Sequence, residues 1–473
     1  MVCLNIVHRA LIHEPESWIA YLYGQHPTYV QGLTKRGPRR MLLFRLAAYG
    51  WSVLRVIRMK PEFSNNGLVD VLVFAETANQ AHSLAQTIHG LREKGLTVRI
   101  ITANAASAVL ADVSHFSSGR VTLNLNDLMK LIALNLIRLP KILEMIRRQD
   151  GKFPKEFVDQ LFKCHIYHVF FDKVISLTNP RLVLMSNDHN VPQRSLLSIA
   201  KVRGIKSAYV QHASVSSMFP KLSFNYCFLD GQVAKNTYES CELNGPKTEI
   251  IPANRYVFLT GQKKPVRTNF IAKPLVIGLA INELDDVNDV IRIINLMTEN
   301  HLKVRLRWHP GTGFRKAGAI RRLCLKLPSV SISDPHYETV GKFIGKIGVL
   351  IAGNSSIHLE AAIGNILPIY FDMSRASVYD YYGYVKNGLS VEAKDESELL
   401  GLVGSALNGE LKLNTSAVRS YSATFETEWA GYEGKLTAAI IKRLLDGAYP
   451  GNCWGYVGIM DRSPRAKMIQ TEF

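Results

Sequence analysis

Short unbroken apolar blocks alternate with stretches of helical period along most of the chain. LVDVLVFAET (68–77) is a continuous apolar block. The amphipathic stretch AHSLAQTIHGLREKG (81–95) follows it, and then a second block, LTVRIITAN (96–104). A strand of a parallel sheet is covered by helices on both faces, so it must be apolar on both. Block, helix, block is the pattern that this arrangement leaves. The order recurs as helix 154–177, strand 181–187, helix 192–203, strand 206–212 and strand 225–231. It restarts after the polar run 261–274 with strand 275–281, helix 285–300, strand 303–309, helix 314–326 and strand 330–334. A short helix, strand 346–353, helix 355–364 and strand 366–372 come next. Residues 389–407 add a strand and a helix, 420–447 read as helical, and 448–473 show no period.

The expected fold is α/β, with two facing Rossmann-like doubly wound units and a cleft between them. The expected divisions are a basic N-terminal extension (1–66), a first unit (67–260), a linker (261–274), a second unit (275–447) and an irregular tail (448–473). In such sheets ligands lie beyond the carboxyl ends of the strands. Two facing units hold one ligand between them.

Two further stretches are amphipathic and basic. RRMLLFRLAAYGWSVLRVIRMK (39–60) places Leu42, Leu46, Trp51, Leu54 and Ile57 at helical spacing, with Arg45 and Arg55 interrupting. A spanning helix needs about 20 apolar residues, so this segment is too short between its charges to cross a bilayer. It matches a helix lying in a membrane interface; a core-facing helix with a solvated face is the alternative. LNDLMKLIALNLIRLPKILEMIRRQ (125–149) reads the same way, with Pro140 expected to kink it.

Charge sharpens this picture. The chain of 473 residues holds 57 Lys+Arg against 39 Asp+Glu, a formal charge of +18. An anionic partner is implied: nucleic acid, a membrane surface or a phosphate-bearing small molecule. No helix-turn-helix, RRM, KH or zinc pattern is present, so nucleic acid is not expected. Residues 1–67 hold nine Lys/Arg against three Glu, a net +6. This asymmetry favours an anionic membrane face or lipid-linked glycan. Cys3, Cys164, Cys227, Cys241, Cys324 and Cys453 are scattered, which fits a reducing compartment. The N-terminus lacks the basic and apolar regions of a signal peptide. A cytoplasmic protein is expected, peripheral on the inner face of the cytoplasmic membrane.

There is no GxGxxG opening a helix, no P-loop, no GxSxG and no kinase motif. No acidic triplet of metal-binding type ends a strand, so no metal and no cofactor beyond a nucleotide cosubstrate is expected. The candidate chemistry stands at strand ends. Trp308-His309-Pro310-Gly311 leaves an imidazole at a sheet's carboxyl edge. Gly353-Asn354-Ser355-Ser356 turns from strand to helix, where free N–H groups and hydroxyls suit a phosphate; plain capping by Ser355 is the alternative. Glu360, one turn in, could accept from ribose hydroxyls or be a solvated helix residue. In the first unit, Ser186-Asn187-Asp188-His189-Asn190 puts a carboxylate beside an imidazole, or forms an Asx turn. Tyr209-Val210-Gln211-His212 and Phe74-Ala75-Glu76 end two other strands. Asp230-Gly231 reads as a turn. Asn254-Arg255 could bring a cation toward the cleft.

These motifs together resemble bacterial surface-polysaccharide glycosyltransferases of the GT-B fold: sialyltransferases and polysialyltransferases, Kdo transferases and glycerophosphate polymerases. The resemblance spans about residues 68–445 and is best in 275–372. It implies that His309 and Pro310, with the Gly311 turn, contact a cytidine nucleotide. It further implies that Ser355 and Ser356, with Asn354, hold its phosphate. The acidic-acidic-Gly triplet that supplies the base in the sialyltransferase-like families is absent. Asn187-Asp188-His189 is nearest to it in position and Leu229-Asp230-Gly231 in letters. The His-Gly of the polymerases reads His212-Ala213. The base candidates are Asp188, then His212, then Glu76, with Arg255 as a donor-side cation. The implied function is metal-independent transfer of a sugar, Kdo or sialic acid from a CMP-sugar, onto a growing cell-surface glycan or glycolipid. The alternatives are a nucleotide-sugar 2-epimerase, a glycerophosphotransferase using a CDP-polyol, and a non-enzymatic polyanion-binding protein.

Overall fold

The computed structural model describes residues 2–13, 16, 42–57, 60–61, 68–103, 106, 109–110, 123–148, 158–217, 219, 221–244, 255–263, 275–374 and 379–448. The first sheet contains β1 (Lys60–Pro61), β2 (Val71–Ala75), β3 (Val98–Thr102), β4 (Leu182–Met185), β5 (Lys206–Val210), β6 (Tyr226–Leu229) and β7 (Tyr256–Leu259). Their order is β1-β3-β2-β4-β5-β6-β7. Six strands are parallel, and only the two-residue β1 runs antiparallel, along β3. Its helices are α1 (Val2–His13), α2 (Leu42–Ile57), α3 (Ala78–Glu93), α4 (Leu125–Arg148), α5 (Val158–Thr178), α6 (Val191–Val202) and α7 (Gln232–Asn244).

Successive strand side chains point to opposite faces, and both faces are buried here. Leu72, Phe74, Val183, Met185, Tyr209 and Leu229 pack with α1, α4, α5 and α6. Val71, Val73, Ala75, Leu184, Val210 and Phe228 pack on the other side with α3. Each such side chain contributes about 1.5–3 kcal/mol by leaving water, which is why these strands read as unbroken apolar blocks.

The second sheet contains β8 (Val276–Ile281), β9 (Lys303–Trp308), β10 (Val330–Ser333), β11 (Val349–Ala352), β12 (Leu367–Tyr370) and β13 (Val391–Glu392), ordered β10-β9-β8-β11-β12-β13. All are parallel. The helices are α8 (Val287–Glu299), α9 (Phe314–Cys324), α10 (Val340–Ile344), α11 (Ile357–Ile363), α12 (Glu396–Leu407), α13 (Thr415–Tyr421) and α14 (Glu433–Leu445). The expected α/β architecture of two doubly wound sheets is present.

Several boundaries differ from the pattern. The N-terminal extension is not a separate appendage in its described parts: Val7, Ala10 and Leu11 of α1 lie in the first unit's core, and Tyr49 and Val53 of α2 pack against it. The strand β7 and the helix α7 carry no pattern signal in the reading above. α4 runs through Pro140 without interruption; Pro140 lies on the exposed side, where the carbonyl deprived of an N–H partner meets water. The helical run expected at 420–447 is two helices, α13 and α14, separated by turns. The second of them leaves the second unit and packs on α3, so that Ala438, Ile441 and Leu444 join the first sheet's core. A Cβ on Gly434 would stand 2.6 Å from that of Gln86, and one on Gly90 2.9 Å from that of Ala438. The two glycines let the helix backbones approach. The start of the expected linker is also packed: Gln262 and Lys263 are buried. Asn254, the rest of the linker (264–274) and the tail from 449 lie outside the described residues.

Candidate functional site

In the second sheet β9 and β10 lie to one side of β8, and β11 to β13 to the other. The chain reverses direction of growth between β8 and β11, and a crevice opens beyond their carboxyl ends. Gly353-Asn354-Ser355-Ser356 leaves β11 at this crevice, and His309-Pro310-Gly311 leaves β9 beside it.

The His309 backbone N–H donates to Ile281 O at 2.8 Å, extending the β8–β9 pairing by one residue. The Gly311 N–H donates to His309 Nδ1 at 2.9 Å. With Nδ1 accepting, the neutral ring carries its proton on Nε2, which makes that edge a donor. His309, Pro310 and Gly311 are all exposed.

The serines do not cap α11. The N-cap is Ser356, at φ −65° and ψ −11°, with no side-chain cap bond. A capping hydroxyl needs an extended backbone to turn back on the helix; this helical conformation swings it away. Both serines stay half-buried. Asn354 is structural at both of its oxygens. Its carbonyl accepts from Asn282 Nδ2 at 3.0 Å, and its Oδ1 accepts from Tyr381 N at 2.8 Å.

Two residues without a sequence signal shape this crevice. His358 is fully buried, with Nε2 on Gly353 O and Nδ1 on Ser390 Oγ, both 2.9 Å. The carbonyl can only accept, so Nε2 donates and the Ser390 hydroxyl donates to Nδ1. Burial drives its pKa down to about 4, and the neutral ring clamps the first residue of the serine turn. Lys316 reaches from α9 to the carbonyls of Asn282 and Glu283, at 2.8 and 3.3 Å, and so fixes the turn after β8. Glu360 is only 4% exposed; its charge acts on the buried Arg307 and on Tyr384.

In the first sheet the corresponding reversal lies between β2 and β4. Glu76 follows β2, Asp188 follows β4 and Gln211-His212 follows β5, so all three base candidates stand on one carboxyl edge. Their surroundings differ. Asn187 Oδ1 accepts from the backbone N–H groups of His189 and Asn190, at 3.0 and 2.8 Å, which is an Asx turn. It throws Asp188 inward, where it is 1% exposed.

Both Asp188 oxygens are engaged. Oδ1 lies 2.8 Å from His189 Nδ1, and Oδ2 accepts from Tyr238 OH at 2.7 Å. Burial alone would push this carboxyl up. The bond and charge of His189, the Tyr238 hydroxyl and the field of His212 outweigh it and hold the group below its usual range. Tyr238 in turn lies 3.0 Å from Tyr209 OH. Burial, and then the Asp188 charge, push both phenols well up, so they stay protonated.

An ionised carboxylate accepts only, so His189 Nδ1 carries the proton, and in the neutral ring the lone pair lies on Nε2. The His189 ring rests on Phe219, with centroids 4.9 Å apart. Asp188, placed first among the base candidates by the sequence, is therefore buried with both oxygens engaged by His189 and Tyr238. Glu76 remains half-buried on the same edge.

The Arg255 expectation is corrected. Arg255 directly precedes β7, so in a parallel sheet it stands at the amino edge, opposite the candidate bases. There it donates to Leu222 O at 3.0 Å. Asp230-Gly231, read as a turn, forms the bend between β6 and α7, and Asp230 does not face the cleft. It is buried, 3.4 Å from the buried Lys263 Nζ, and its carbonyl accepts from Ala423 N at 2.8 Å.

The two carboxyl edges meet. The Ser214 hydroxyl, just beyond His212, bonds the Tyr384 hydroxyl. Tyr384 packs on His358, with ring centroids 5.4 Å apart. Gln262 N donates to Ser422 Oγ at 3.0 Å. A chain of direct contacts thus runs from the loop after β5 to the serine turn after β11.

No family model matches the chain, and no curated protein does. Solved structures do match. A UDP-N-acetylglucosamine 2-epimerase of Listeria monocytogenes, itself designated putative, aligns over 81% of this chain and 98% of its own, with TM-score 0.52 and 11% identity. The S. aureus MnaA–UDP complex aligns over 81% and 100%, with TM-score 0.51 and 13% identity. UDP-GlcNAc 2-epimerase of Neisseria meningitidis bound to UDP-GlcNAc aligns over 80% and 100%, with TM-score 0.50 and 13% identity. At these identities the likeness is one of fold: two Rossmann-like sheets of the GT-B type.

Proposed function

We propose that this chain is a metal-independent glycosyltransferase that binds a nucleotide-sugar on the second unit and an acceptor hydroxyl on the first. One observation carries the reading: the two touching carboxyl edges bear complementary chemistry. The second edge offers the His309 Nε2–H and the Ser355 and Ser356 hydroxyls, all donors suited to a phosphate. The first offers a histidine whose Nδ1 is held by a buried carboxylate. Complexes with UDP and UDP-GlcNAc among the solved structures of this fold support a nucleotide-sugar ligand.

In this reading the acceptor hydroxyl gives its proton to His189 Nε2, and its oxygen bonds to the anomeric carbon. The bond from that carbon to the phosphate oxygen breaks, and the nucleotide leaves with the electron pair. Preorganised donors at the developing charge are the larger contribution in such sites, and His309 with the serine hydroxyls supplies them. General base catalysis by His189 adds about 10²–10⁴-fold. The finer assignment follows the motifs: a CMP-sugar carrying Kdo or sialic acid, and a surface glycan or lipid-linked glycan acceptor on the inner face of the cytoplasmic membrane.

Calorimetric titration with CMP, UDP, GDP and CDP tests the donor. Tight CMP binding that His309→Ala weakens is expected, and preference for another nucleotide would displace the CMP assignment. The second reading, a nucleotide-sugar 2-epimerase, is favoured by the fold likeness. Epimerisation of a nucleotide-sugar with no acceptor present would establish it in place of transfer. Release of CMP from a CDP-polyol would instead mark a glycerophosphotransferase.

A further inference from the structure

The helix α4 has two apolar faces. Leu131, Leu134 and Ile142 are buried against the first unit's core. Leu125, Met129, Ile132, Leu136, Leu139 and Leu143 are exposed, reaching 75% at Leu125 and 67% at Leu136. Their spacing of four, three, four, three and four residues keeps all six within an arc of about 80° at 3.6 residues per turn. α2 lies beside α4 on α5, tied by the 2.8 Å bond from Asn135 Nδ2 to Tyr49 OH. It adds exposed Phe44, Trp51 and Leu54, with Trp51 at 60%. Contiguous apolar surface of this size marks a docking site.

Charge identifies the occupant. α2 contains Arg45 and Arg55 and no acidic residue; α4, apart from Arg138, which is buried against Glu16, contains four Lys/Arg against two acids. A second copy seated by two-fold symmetry would set these like charges against each other. An anionic bilayer attracts them and takes up the apolar stripe. Among the described residues no helix is long and apolar enough to cross a membrane, so a helix here lies in the interface plane.

We propose that α4, with α2 beside it, docks the protein on an anionic phospholipid bilayer. This deepens the reading above by placing the first unit, which takes the acceptor there, against the membrane. It rests on that reading only for what the membrane presents.

The test is co-sedimentation of the full chain with phosphatidylcholine vesicles, with and without phosphatidylglycerol, without donor or acceptor. Binding that requires phosphatidylglycerol and weakens with salt is expected. Ile132→Glu with Leu136→Glu should lower the partition coefficient at least about tenfold, with an unchanged melting midpoint because both side chains are exposed. Undiminished vesicle binding by that variant would overturn the proposal. So would a wild-type dimer that ignores vesicles and becomes monomeric in the variant. Nucleotide titration of the same variant separates the two readings. Vesicle binding by a chain that binds no nucleotide would leave the surface standing and remove the transferase.

Discussion

Replacing Asp188 by Asn probes the first edge with almost no change of shape. The carboxylate accepts from His189 Nδ1 and from Tyr238 OH. An amide has one accepting oxygen and one donating nitrogen. If the oxygen serves Tyr238, the amide N–H₂ faces His189 and selects the tautomer with its proton on Nε2, which cannot act as a base. If the oxygen serves His189, the amide opposes the tyrosine hydroxyl, which must then turn. Either way the imidazolium that forms on proton transfer loses its counter-charge. Loss of orientation and tautomer in such a pair is worth about 10²–10⁴ in kcat, roughly 3–5 kcal/mol of barrier. Donor affinity should hardly change, since His309 and the serines stand on the other sheet. The decisive assay is a cycle of Asp188→Asn, His189→Ala and the double variant, with kcat and KM for donor measured separately. Groups acting as a unit are grossly non-additive, so the double variant should be no slower than His189→Ala alone. A kcat within about threefold of wild type in Asp188→Asn, or losses that simply multiply, would refute the dyad.

Other consequences can be measured directly. Ser355→Ala with Ser356→Ala should weaken nucleotide binding by roughly 1.5–3 kcal/mol if the hydroxyls meet a charged phosphate; an unchanged Kd would remove them from the donor site. The depressed pKa of His358, about 4 against 6.5, means that the fold prefers the neutral ring. Stability from this group is complete above pH 6.5, falls by about 3 kcal/mol down to pH 4 and is flat below. Buried His168, held near 3, contributes in the same direction. Denaturant midpoints across this range should therefore drop less steeply in His358→Gln than in wild type, and parallel curves would refute the assignment. Gly261→Ala forces a side chain onto φ +75° and sets its Cβ 1.7 Å from Thr424 Oγ1. It should cost about 2–5 kcal/mol in unfolding free energy, and a change under 1 kcal/mol would show that the crossing segment yields freely.

What the sequence disclosed was governed by burial on both faces. β2, β4, β8 and β11 are covered by helices on each side, so every position is apolar and the block stands out. Strand ends, where chemistry can stand, are marked by Glu76, Asp188, His212, His309 and the serine turn. The short β7 escaped because its first residues are only half-buried and a polar segment follows at once. The course of α14 was not legible at all, since an amphipathic helix does not say which sheet it covers; only Gly90 and Gly434, 344 positions apart along the chain, permit that contact. The choice among Asp188, His212 and Glu76 was equally hidden. Neighbouring letters cannot tell which way an Asx turn throws a side chain, and here the turn buries Asp188 and brings His189 forward.

The same reasoning locates the charge. The groups proposed to meet the donor are neutral: hydroxyls, backbone N–H and an imidazole donating through Nε2. The few cations near the two edges are already engaged, with Lys316 on carbonyls and Lys263 beside Asp230. Arg138 is consumed by Glu16 at 2.8 Å in the layer beneath α4. A surplus of +18 therefore cannot be assigned to binding one nucleotide. The excess in residues 1–67 runs into α2, and α4 carries its own surplus beside an exposed apolar stripe. Charge placed next to apolar surface suits a partner that offers both, as the proposed layer of anionic headgroups over hydrocarbon does. A soluble nucleotide offers only the first.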